Sequence, residues 1–100
     1  MVGSLDDPLT LEFLAEIERT FTAYPNPADE FVEVAFSSKA DMNASIILYT
    51  MGMKRVVTYD MKVGIGQNTL RIPLTDVIQG SYVLHLKVGD RIFSKVIVKQ

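Results

Sequence analysis

The chain has 100 residues, 22% of them charged, a formal net charge of -2 and no cysteine, which is enough for one domain that buries roughly two-thirds of its unfolded surface. Without cysteine, a disulfide framework and a thiolate metal site are both excluded. Residues 1–19 hold five acids against Arg19 alone, net -4, and the +2 left to the remainder is far short of a nucleic-acid footprint, while no apolar run approaches the length of a membrane span.

At the start, Asp7 and Pro8 read as a cap and a first helical position. Leu9, Phe13 and Ile17 then share one face, with Leu14 beside them. Glu12 and Glu16 repel at i, i+4, so a helix this short needs a surface to dock on. Residues 1–19 are expected to be a linker or the tail of a preceding domain, helical in part, and 20–100 a β-sandwich. The N-terminus lacks the basic, apolar and small-residue order of a secretory leader, so a secreted form is expected to be cut from a longer precursor.

From Thr20 the pattern is that of strands. Phe21–Ala23 is extended, and Pro25 and Pro27 hold Tyr24 and Asn26 extended before them; two prolines so close favour a sheet edge. In 30–37, Val32, Val34 and Phe36 alternate with Glu33, Ala35 and Ser37. In 44–50, Ile46 and Leu48 face in and Ile47 and Tyr49 the other way, so both faces are apolar and the strand is central or covered. Gly52 marks a turn into 54–61, whose inward face is undecided between Val56 and Val57. Gly64 and Gly66 break the chain before 68–73, with Leu70 and Ile72 inward, and 74–78 is a short irregular turn ending at Gly80.

From Gly80 through Lys99 the sequence writes a hairpin. Tyr82, Leu84, Leu86 and Val88 alternate with Ser81, Val83, His85 and Lys87. Gly89 and Asp90 supply a two-residue turn with glycine first, the type II′ preference. Beyond it, Ile92, Val96 and Val98 alternate with Arg91, Phe93, Lys95, Ile97 and Lys99. The expected fold is all-β, an immunoglobulin-like antiparallel sandwich of about seven strands with a short N-terminal helix or linker.

Catalytic chemistry has few candidates. His85 lies mid-strand on the expected solvent face, and no cysteine accompanies it. Asp6, Asp7, Asp29, Glu30 and Asp41 follow no calcium-loop pattern, and Gly64 with Gly66 lacks the lysine-serine pair and helix of a phosphate cradle. No cofactor or metal is expected, and no enzyme. Met42, Met51, Met53 and Met61 serve equally as core plugs or as an adaptable surface. Tyr24, Tyr49, Tyr59 and Tyr82 serve as strand formers or as a glycan-binding face.

Two readings of the terminal strand stand side by side. In one, Arg91, Lys95 and Lys99 keep an exposed edge from pairing with other chains. In the other, a partner reads this edge through ladder hydrogen bonds and alternate side chains.

The order of motifs adds to this. Tyr24-Pro25-Asn26-Pro27-Ala28, Gly52 in a turn, Gly66 with Asn68 and Leu70, Gly80-Ser81-Tyr82-Val83, and Lys95-Val96-Ile97-Val98-Lys99 together resemble the C-terminal sorting domain of type IX secretion cargo, the Por secretion system, from about Phe21 to Lys99. The resemblance implies a folded signal that directs an attached N-terminal cargo from the periplasm across the outer membrane, to the outer membrane, the cell surface or the medium. It implies recognition by an outer-membrane translocon or shuttle protein through Gly80, Tyr82 and Lys95 to Lys99, with Pro25, Asn26 and Pro27 as the N-terminal motif, and removal by a sortase-like cysteine protease in the segment before Thr20. Met51 and Met53 depart from the family's turn flanks, and Lys54 and Arg55 take the basic role there. The alternative is a non-catalytic immunoglobulin-like binding module for a glycan or a neighbouring domain. A third reading is a domain that only assembles with copies of itself, as a homodimer formed by edge-strand pairing.

Overall fold

The computed structural model describes residues 11–100. Helix α1, Leu11–Thr20, leads into seven strands: β1 Thr22–Tyr24, β2 Phe31–Ser38, β3 Met42–Thr50, β4 Arg55–Val63, β5 Gly66–Pro73, β6 Gly80–Val88 and β7 Arg91–Lys99. They form two antiparallel sheets, one ordered β1-β2-β5 and the other β4-β3-β6-β7. The architecture is an all-β sandwich, as expected.

Period-2 alternation builds the core from both sheets. Val32, Val34 and Phe36 of β2 and Ile72 of β5 meet Ile46 and Leu48 of β3 and Leu84, Leu86 and Val88 of β6, all of them buried. β3 lies between β4 and β6, and its outward Ile47 is buried too, which accounts for a strand apolar on both faces. The undecided face of β4 is resolved by register: Leu48 pairs with Val57, Ile46 with Tyr59 and Ala44 with Met61. A bulge between Leu48 and Tyr49 lets Arg55 pair with Tyr49 and leaves Val56 as the additional residue, 40% exposed. A bulge resets the parity of a strand, which is why alternation alone gave two answers.

The Gly89-Asp90 turn sets the face of β7. Gly89 takes φ +59° and Asp90 is not in the positive-φ region, the sign pattern of type II′, and Val88 pairs with Arg91 across it. The register then places Phe93 opposite Leu86, Lys95 opposite Leu84 and Ile97 opposite Tyr82. Phe93 and Ile97 are therefore the buried residues, while Ile92, Val96 and Val98 face out. The basic residues Arg91, Lys95 and Lys99 share the inward parity, Arg91 and Lys95 exposed and Lys99 half-buried.

Helix α1 is part of the packed body. Leu14 and Ile17 are buried in the same core, and full burial of a side chain such as Ile17 stabilises by about 1.5–3 kcal/mol. The Thr20 hydroxyl donates to the Glu16 carbonyl (2.8 Å) and accepts from the Ser37 amide of β2 (2.8 Å), joining the helix end to the first sheet. The repelling acids each find a cation: Glu16 pairs with Arg19 at 2.6 Å and Glu12 lies 3.8 Å from Lys39. The expected cap and first turn at Asp7, Pro8 and Leu9 lie outside the described residues.

Candidate functional site

β7 borders β6 on one side and is the edge strand of its sheet on the other. In an antiparallel ladder the backbone groups of alternate residues point to opposite sides. The residues flanking the two-residue turn pair with β6, so the even-numbered residues 92, 94, 96, 98 and 100 direct their amides and carbonyls outward.

The segment between β1 and β2 closes on the C-terminal part of that outer side. The Asn26 side chain donates through Nδ2 to the Val96 carbonyl (3.1 Å) and accepts at Oδ1 from the Val98 amide (3.0 Å), behaving as a peptide unit of a missing neighbour strand. Ala28 continues the pairing in parallel register with Lys99: its amide donates to the Val98 carbonyl (2.7 Å) and its carbonyl accepts from the Gln100 amide (2.8 Å). Pro25 and Pro27, each preceded by a cis peptide bond, flank Asn26 and have no amide hydrogen to pair. β1 is an edge strand of the first sheet, so this clip carries the chain from the edge of one sheet to the edge of the other. The two prolines thus sit at a sheet edge, as their spacing predicts.

The side chains of the terminal motif divide by parity. Val96 and Val98 are exposed on the outer face at 55% and 38%. Ile97 is fully buried opposite Tyr82, whose hydroxyl donates to the Ile78 carbonyl and whose ring is buried as well. Gly80, at φ +150°, pairs with Lys99. Lys99 has a side chain only 12% exposed, with Nζ 4.0 Å from Asp29, and Lys95 holds Nζ 5.7 Å above the Phe21 ring. Gly80, Tyr82, Ile97 and Lys99 hold the strand; Lys95, Val96 and Val98 present it. Thr50 pairs with Tyr82, so the turn at Gly52 lies at the same end of the sheet, whereas Gly89 and Asp90 lie at the opposite end.

Other candidates are dispersed. Tyr49 is on the outer face of β3, its ring 4.8 Å from that of His85, Tyr59 turns inward from β4, Tyr82 is in the core and Tyr24 is exposed on β1. Four tyrosines with four surroundings make no common glycan platform. Met42 and Met61 pack against the core, while Met51 and Met53 are exposed in the turn. The Gly64–Gly66 loop is filled by Asn68, whose Oδ1 accepts from the Gly64 amide (2.9 Å) and whose Nδ2 donates to the carbonyls of Gly64 (2.9 Å) and Gly66 (3.0 Å). This role of Asn68 and the clip formed by Asn26 were missed by alternation, since each depends on an amide side chain imitating backbone; an asparagine set between two prolines was the available signal.

No curated protein matches the chain. Residues 22–100, from the first strand through the clip to the end of β7, match the secretion system C-terminal sorting domain, and the chain accordingly belongs to that family of type IX secretion signals.

Proposed function

We propose that residues 20–100 are the address by which an N-terminally attached cargo, after passage through the periplasm, is taken across the outer membrane by the type IX system. In this reading a translocon or shuttle protein reads the end of the domain where Lys95, Val96 and Val98 are presented, with Gly80, Tyr82, Ile97 and Lys99 shaping that strand and Pro25, Asn26 and Pro27 securing it. A sortase-like cysteine protease then cuts within residues 1–19. The domain itself catalyses nothing. The observation that carries the reading is the family match over 22–100 on a chain whose last strand is a sheet edge.

The test fuses the full chain to an inert periplasmic reporter in a type IX bacterium, since Leu14 and Ile17 belong to the core. Two variants are compared with it, deletion of 95–100 and the paired surface change Val96→Asp with Val98→Asp, which leaves every buried side chain in place. Loss of surface delivery in both supports the reading. Undiminished delivery of both removes the terminal strand from the mechanism.

A further inference from the structure

The clip covers only part of the outer edge of β7. It occupies the Val96 carbonyl, both backbone groups of Val98 and the Gln100 amide. Ile92 and Ser94 have the same outward parity, and among the described residues no hydrogen bond reaches the outward backbone groups of either. Both are exposed, as are Arg91 and Lys95 beside them. Among the described residues Arg91, Lys95 and Lys87, which pairs with Ile92, make no ion pair; the nearest acid along the strand is Asp90 in the turn.

From this the geometry points to a short strand-addition site on Arg91–Lys95, whose occupant is an extended segment of another protein that alternates acidic with apolar residues. This rests on the sorting reading and narrows it: the clip already occupies the Val96 carbonyl, both groups of Val98 and the Gln100 amide, so new backbone pairing is confined to the stretch from Ile92 to the Val96 amide. An added strand would complete the groups of Ile92 and Ser94. Its residues on one face would meet Arg91 and Lys95, and those on the other would meet Ile92 and Val96. Opposite charges across a strand pair stabilise and like charges destabilise. The same arithmetic disfavours a second copy of this chain, because antiparallel self-pairing centred on Phe93 sets Arg91 against Lys95 twice.

The probe is an eight-residue peptide alternating valine with glutamate, compared with its valine-lysine counterpart, added to the full chain and followed by residue-resolved amide exchange. The expected result is protection of the Ile92 and Ser94 amides by the acidic peptide, with an affinity about tenfold above that of the basic one, the equivalent of two cross-strand charge pairs. Ser94→Pro removes an outward amide hydrogen at a sheet edge, where proline is tolerated, and should abolish binding. Arg91→Glu with Lys95→Glu should reverse the preference, an arm that stands even if the proline variant fails to fold. Absence of protection, equal binding of both peptides, protection that appears at Val98 instead, or concentration-dependent protection without peptide would each overturn the inference. Reporter export that needs Val96 and Val98 but is unchanged by the charge reversal overturns it while leaving the sorting reading intact.

Discussion

Asn26 and Val98, 72 residues apart in sequence, are joined by a 3.0 Å hydrogen bond from the Val98 amide to the Asn26 Oδ1. With the reciprocal bond from Nδ2 to Val96, one side chain makes the N-terminal proline motif and the terminal strand a single structural unit. The two stretches that the family resemblance singles out at opposite ends of the domain are therefore neighbours, and a protein reading one meets the other.

Asn26→Ala deletes both bonds while leaving the Ala28 bridge. At about 0.5–1.5 kcal/mol for each hydrogen bond, it should lower stability by about 1–2 kcal/mol in urea unfolding. Exchange of the Val98 amide should accelerate, whereas the amides that pair with β6 stay protected. An unchanged Val98 amide would mean that the clip is not held by this side chain.

The parity of β7 makes a second prediction. Ile97 is fully buried, so Ile97→Ala should cost about 2–5 kcal/mol. Val96→Ala, one residue away on the outer face, should stay within about 0.5 kcal/mol. Comparable unfolding midpoints for the two variants would contradict the hairpin register.

Asn68 is expected to matter for stability more than its half-buried position implies. Three of its hydrogen bonds close the loop at Gly64 and Gly66, and Asn68→Ala should cost about 1–2 kcal/mol, since water replaces part of what is lost. Thermal unfolding followed by circular dichroism would show it as a lowered midpoint with native-state spectra unchanged.

In the turn after β3, the residue in the left-handed region is Met53, at φ +66°, rather than Gly52. A side chain there costs about 1–2 kcal/mol relative to glycine's freedom, partly offset by the greater flexibility glycine gives the unfolded chain. Met53→Gly should raise stability by about 0.5–1 kcal/mol. A fall in the urea midpoint would show that the methionine side chain makes a compensating contact.

Whatever depends on short periods and local turn chemistry is legible in the residues alone. Alternation fixes the inward faces of β2 and β3, through Val32, Val34 and Phe36 and through Ile46 and Leu48, because a strand with one buried face has a period of two. Glycine before aspartate names the two-residue turn at 89 and 90, and two prolines place their segment at a sheet edge. The remainder is settled only on folding, for a common reason: the partner that matters is distant along the chain or the local period is interrupted. A bulge at Val56 accompanies the face taken by β4, the register through Gly89 and Asp90 turned Ile97 rather than Val96 into the core, and only folding brings Asn26 to Val98. The helix follows the same logic, since Leu14 and Ile17 mark an apolar stripe but the sheet surface that buries it is assembled from residues far downstream.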